Sequence, residues 1–203
     1  MGLTRGTILT IDVPEGQIPT ITTYFEMTDR PVVKRQDGPL KLLKWNVPEP
    51  SEYLSLFRAV GNRWMWTSRL LMDENALRNT LHHDAVEVYL IEKDDAKIGL
   101  LELDFREQKQ CEIGFFGIVP DMNGQGYGRW LMAEALNRAW RPEISRVWLH
   151  TCTEDSPRAI PFYMKSGFTP YKREVEINSD PRLVGHLPLD AGPHVPIIRP
   201  SNA

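Results

Sequence analysis

The sequence predicts an α/β (α+β) fold: a mixed, mostly antiparallel sheet with helices on both faces. Three observations carry that prediction. Between residues 86 and 119, three stretches alternate apolar and polar side chains with short turns between them, as in an antiparallel meander. A glycine-rich turn then leads into an amphipathic helix and a further strand, a βαβ unit that adds one parallel pair. Of the 16 prolines, six lie in residues 1–50 and five in 181–200, so regular structure concentrates between the two ends.

Taken in order, residues 7–12 (TILTID) and 18–27 (IPTITTYFEM) read as short strands, and the alternation over 40–45 as another. After Pro50, Tyr53, Leu54, Leu56, Phe57 and Val60 recur at helical spacing until Gly61. Residues 68–81 read as a second helix. Val86, Val88 and Leu90 mark a half-buried strand, and a turn at Asp94 and Asp95 returns the chain through 98–105 as a hairpin. Residues 111–119 form the third strand of the meander. Met132, Ala135, Leu136 and Ala139 define a helix that Pro142 ends. Residues 146–151 form a strand with Val147 and Leu149 inside. A short helix over 157–166 is capped by Asp155 or Ser156 and closed by Gly167, with an irregular first turn around Pro161. Residues 168–177 form the last strand. The chain divides into an N-terminal arm (1–49) whose short strands pack on the core, a core (50–177) and a proline-rich tail (178–203), a single domain overall.

At 203 residues and 23.4 kDa, such a chain buries about 70% of its surface on folding, ample for one core. The net charge of −3 and the absence of a Lys/Arg run argue against nucleic acid as a partner. Two cysteines, Cys111 and Cys152, are too few for a disulfide framework. No apolar stretch reaches the roughly 18 residues of a membrane span, and the opening MGLTRG lacks a secretory apolar segment. Gly6 stands where a myristoylation signal wants Ser or Thr. A cytoplasmic protein without membrane association is the expectation. No His/Cys/Asp grouping has metal-ligand spacing, so no metal is expected.

The sharpest local signal is residues 119–130 (VPDMNGQGYGRW), three glycines at two-residue spacing between a strand and a helix. Glycine lets successive N–H groups converge, and the helix N-terminus adds partial positive charge, so the turn suits a phosphate. The plainer alternative is a tight turn that packs helix on strand. A P-loop would need Gly-Lys-Ser/Thr where Gly128 precedes Arg129 and Trp130. A dinucleotide fingerprint would need G-x-G-x-x-G where the chain has G-x-G-x-G.

Residues 123–128 (NGQGYG) resemble the acyl-CoA pyrophosphate loop, Q/R-x-x-G-x-G/A, of the GNAT N-acetyltransferase superfamily, with Asn123 in place of Gln or Arg. Residues 156–168 (SPRAIPFYMKSGF) resemble its N-x-R-A-x-x-x-Y-x-x-x-G-F helix, with Ser156 in place of Asn. The resemblance covers residues 50–177 and extends to an uncharacterised bacterial group of the superfamily. It implies acetyl-CoA as acyl donor substrate, held by Asn123, Gly124, Gln125, Gly126, Tyr127, Gly128 and Ser156. The splayed strand before the loop would bind pantetheine and thioester through the backbone of Phe116 and Ile118. It also implies two catalytic residues. Glu112, in a Glu-Ile-x-Phe segment like that of the histone-acetylating branch, would be the general base. Tyr163 would protonate the departing thiolate. A lysine-like amine has a pKa about three units above neutrality, so deprotonation costs roughly 4 kcal/mol and a positioned carboxylate lowers that demand.

Other candidates have plainer readings. Glu102 and Asp104 point away from Leu103, toward an acceptor amine or, as the commoner case, as a solvated strand face. Trp64, Trp66 and Arg69 lie where the family builds its acceptor wall. His150, Cys152 and the His82–His83 pair are read as structural or solvated. The leading function is an acetyl-CoA-dependent N-acetyltransferase acting on a primary amine of a small molecule or protein. A non-catalytic acyl-CoA-binding or sensor module and an O-acyltransferase are the alternatives. The partners expected are acyl-CoA and an amine acceptor, with a homodimer left open.

Overall fold

The computed structural model describes residues 8–33 and 38–201. Seven strands form one sheet: β1 (Gln17–Met27), β2 (Lys41–Lys44), β3 (Val86–Lys93), β4 (Ala96–Asp104), β5 (Gln110–Ile118), β6 (Arg146–Thr151) and β7 (Thr169–Ser179). Their order is β2-β3-β4-β5-β6-β1-β7, and every neighbouring pair is antiparallel except β5 with β6. Four helices complete the chain: α1 (Pro50–Gly61), α2 (Glu74–Leu81), α3 (Tyr127–Ala139) and α4 (Ala159–Lys165).

Strand alternation divides the core in two. Leu101, Leu103, Cys111, Ile113, Val147, Leu149 and Phe25 meet Leu131, Ala135 and Ala139 of α3 on one face. Val88, Leu90 and Leu100 meet Tyr53, Phe57 and Val60 of α1 and Leu77 and Leu81 of α2 on the other. The hairpin turn falls at Asp94 and Asp95, both at positive φ (49° and 62°), the conformation of a two-residue turn that matches strand twist.

Several boundaries differ from the sequence reading. The second helix begins only at Glu74, where Asp73 accepts a hydrogen bond from the Ala76 amide (2.9 Å); residues 68–72 form turns. Pro161 falls on the third residue of α4, within the first turn, where an amide has no helical partner to lose. Residues 8–12 form no strand, and Thr7 lies outside the described residues. Ile8 and Leu9 are largely exposed, so this apolar run has no surface to pair with. The segment read as an N-terminal arm contributes more than packing: β1 is inserted between β6 and β7, pairing with β7 over Gln17–Glu26 and with β6 over Thr23–Met27.

The tail, residues 180–201, folds back on the start of β1. Arg182 is buried and its guanidinium donates to both oxygens of Asp180 (2.9 and 2.7 Å) and to the carbonyls of Ala191 (3.1 Å) and Val195 (2.8 Å). Leu187 and Ala191 pack on Ile18 and Met65.

Candidate active site

β5 and β6 run parallel only over Gln110–Glu112 and Arg146–Trp148, and beyond that they separate. The cause lies in β5. Glu102 pairs with Phe115 but Leu103 with Ile113, so Gly114 is an extra residue, a bulge that bends the strand. The Val119 amide donates to Ile98 (2.8 Å), and antiparallel bonding alternates. The Gly117 amide therefore faces β4, while the amides of Phe116 and Ile118 face the gap. Gly117 also lets α1 come close: a Cβ there would lie 2.4 Å from Val60 Cγ1.

The gap is part of a cleft of about 1710 Å³ that runs from the glycine turn to the β1–β7 face. Gly124 and Gly126 sit at φ 84° and 82°, and Gly126 immediately precedes α3. A Cβ on Gly124 would meet nothing within 4 Å, so the turn is open at that point. Arg129, Arg158 and Lys165 line the cleft, as does Asp121 just before the turn. Phe116, Ile118, Asn123, Tyr127, Gly128 and Ser156 also line it; Gln125 does not, its side chain donating weakly to Met122 Sδ (3.7 Å).

Tyr163 lines the middle of the cleft, its ring among Phe25, Phe116, Phe162 and Phe168 at centroid distances of 6.0, 6.4, 5.5 and 6.4 Å. Burial raises its hydroxyl pKa, with Asp155 and Cys152 adding to the rise. The phenol therefore stays protonated at neutral pH and can only donate a proton.

Glu112 is placed differently from the sequence reading. It does not line the cleft; its carboxylate lies in an adjoining hollow with Asp104, Arg106, Glu107 and Trp148. Its Oε1 is 3.3 Å from Nδ1 of His150, and His150 does line the cleft. The contact with Glu112 raises the His150 pKa against the opposing effect of burial. Sequence reasoning passed over His150 because its partner is on another strand.

Glu102, read as a solvated strand residue, is fully buried. Helix α1 covers that face of β4, and the carboxylate accepts a hydrogen bond from Tyr53 Oη (2.8 Å) and pairs with Arg69. Arg69 thus serves the interior, while Trp64 and Trp66 line the cleft. Trp66 Nε1 donates to Asp155 Oδ1 (3.3 Å), linking the α1 side of the cleft to the loop after β6. Asp155 Oδ2 accepts from Thr151 Oγ1 (2.6 Å) and the Cys152 amide (3.1 Å). Burial raises the Cys152 thiol pKa, which leaves it a poor nucleophile.

The far wall is β1 and β7. Tyr24 lies opposite His150 in the β1–β6 register, and Thr22 and Thr20 follow on the same face. Burial, with Glu174 and Glu176 nearby, pushes the Tyr24 hydroxyl up to about 12. Among the described residues no group of His, Cys, Asp and Glu could hold a metal ion, and no helix is long and apolar enough to cross a membrane.

A mixed sheet opened between its parallel strands, with a glycine turn on a helix N-terminus beside the opening, is the architecture of the GNAT fold. The model of the acetyltransferase (GNAT) family matches residues 45–168, and the chain belongs to that family. No curated protein matches it. Among solved structures, a conserved protein of unknown function from Staphylococcus epidermidis is similar at 13% identity and TM-score 0.58, over 81% of this chain and 64% of that one. A GCN5-related N-acetyltransferase from Kribbella flavida is similar at 15% identity and TM-score 0.56, over 84% of this chain and 63% of that one. An aminoglycoside acetyltransferase from an uncultured soil sample is similar at 16% identity and TM-score 0.51, over 63% of this chain and 87% of that one. The chain spans less than two thirds of the length of the first two. These likenesses are of fold.

Proposed function

We propose that the protein transfers an acetyl group from acetyl-CoA to a primary amine by direct attack on the thioester. The observation that carries this reading is the opening between β5 and β6, which leaves the Phe116 and Ile118 amides unpaired beside Tyr163. The residues fit acyl-CoA. The glycine turn at the α3 N-terminus offers converging amides to a pyrophosphate, and Arg129, Arg158 and Lys165 offer charge to phosphates. Bound there, acetyl-CoA supplies an acyl group on a thiolate leaving group.

The chain's own residues do the rest. The Phe116 amide donates to the thioester oxygen, and the Ile118 amide holds the pantetheine arm. His150 accepts the proton of the attacking amine. Glu112 faces Nδ1, so the neutral ring carries its proton there and presents Nε2 as the base. Glu112 acts in this scheme as a positioning residue that keeps the imidazole basic. Tyr163 hydrogen-bonds the departing sulfur and gives it its proton; burial keeps the phenol protonated until the sulfur carries full negative charge, and solvent reprotonates the phenol once the product leaves. Ser156 orients the loop before α4, its Oγ accepting from the Arg158 amide (3.3 Å).

Calorimetric titration with CoA tests the donor site. The wild type binds, and Gly126→Asp, which puts a carboxylate in the cradle, binds at least tenfold more weakly. Equal affinity for the two proteins would contradict the assignment.

A further inference from the structure

The β1–β7 wall of the cleft carries two carboxylates, Glu154 and Glu176, that form no ion pair among the described residues, although Arg63 and His186 also line the cleft and His194 Nε2 bonds the Glu154 carbonyl (2.7 Å). Glu154 lines the cleft from the loop after β6 and is only 6% exposed. Its Oε1 accepts a hydrogen bond from Thr20 Oγ1 (2.6 Å), but Oε2 is buried with no hydrogen-bond partner. A carboxylate oxygen removed from water and left unpartnered is costly unless a donor reaches it. Glu176 lines the same wall from β7 and accepts from Thr22 Oγ1 (3.4 Å) and Asn178 Nδ2 (3.3 Å), both neutral donors. Among the described residues no Lys or Arg pairs with either, whereas the adjacent Glu174 is paired with Lys172 (2.6 Å). Asp155 has three donors of its own and asks for nothing further.

We infer that Glu154 and Glu176 form a subsite for a second ammonium group, so that the acceptor is a linear diamine or longer polyamine with one amine at His150 and another in this subsite. The inference rests on the acetyl-transfer reading and specifies its acceptor. Register fixes the spacing. Tyr24 lies beside His150, Thr22 and Thr20 follow on the same face of β1, and Glu176 stands opposite Thr20. Alternate strand residues are about 7 Å apart, so the carboxylates lie roughly 7–13 Å along the wall from the reacting amine. That distance suits two ammonium groups on one flexible alkyl chain. A monoamine would leave Glu154 unpartnered. Arg129 follows the glycine turn directly, and Arg158 and Lys165 stand at the two ends of α4, so these three cations belong to other elements than the β1–β7 wall.

Calorimetry on the CoA-saturated protein, with α,ω-diaminoalkanes of increasing length and n-alkylamines of matched length as probes, reads binding without requiring turnover. The best diamine is expected to bind roughly tenfold or more tightly than its monoamine. Glu176→Gln and Glu154→Gln should each remove most of that preference and leave CoA affinity unchanged. Glu176 is exposed, so its variant keeps the test meaningful if substituting buried Glu154 disturbs folding. Equal affinity for diamines and monoamines, or a preference that survives both variants, would overturn the subsite. Diamine binding without release of thiol from acetyl-CoA would uphold the subsite and overturn acetyl transfer instead.

Discussion

At the residue scale, the proposed chemistry turns on His150 and its neighbour. A carboxylate against Nδ1 raises the imidazole pKa, which makes the neutral ring a stronger base but narrows the pH range in which it is neutral. The sign of the consequence follows. The base must be neutral, so the rate falls as pH drops through the His150 pKa. Glu112→Gln removes the charge that raises that pKa, so the acid limb of the kcat/KM profile moves to lower pH. The His150 ring resonances should titrate at lower pH in the variant by NMR. An unmoved His150 titration would remove Glu112 from the proton path. This pairing was beyond sequence reasoning: Glu112 and His150 are 38 positions apart, and only the parallel register of β5 and β6 brings them together.

At the scale of elements, the tail behaves as a folded strap anchored by one side chain. The Arg182 guanidinium is buried and saturated by Asp180 and tail carbonyls, so Arg182→Met would leave Asp180 buried without its counter-charge. Breaking a buried pair in this way costs about 3–5 kcal/mol. For a chain of this size the Tm should fall by about 6–20 °C, measured by calorimetry or circular dichroism. Replacing Asp180 with Asn in the same chain should restore part of the loss. A Tm unchanged by Arg182→Met would mean the tail adds nothing to the fold. The elements themselves were largely legible in the sequence. The meander, the glycine turn, α1, α3 and the hairpin at Asp94 and Asp95 follow from local periodicity and turn chemistry, which tertiary context does not override here. The place of β1 was not legible. Its alternation marks a strand, but insertion between β6 and β7 is a long-range pairing that no local pattern encodes. For the same reason Glu102 reads as solvated in sequence and is buried in the fold: its neighbour α1 decides its surroundings.

At the scale of the whole molecule, one sheet lines the cleft that the proposal divides into a donor half and an acceptor half. The bulge at Gly114 parts β5 from β6, α3 brings its N-terminus beside the opening, and β1 with β7 builds the far wall. Tyr163 stands between them. The glycine turn and the α4 segment, on which the proposed donor half rests, were legible in the sequence. The acceptor half depends on which strands lie side by side, so Glu154 and Glu176 carried no signal. The central claim is that the opening joins these halves for acetyl transfer. Its most direct test is thiol release from acetyl-CoA with and without an amine, followed by mass spectrometry of amine and protein. We expect release that depends on the amine, an acetylated amine as product and no acetylated protein. Binding of CoA without amine-dependent thiol release, or accumulation of an acetylated protein, would contradict direct transfer.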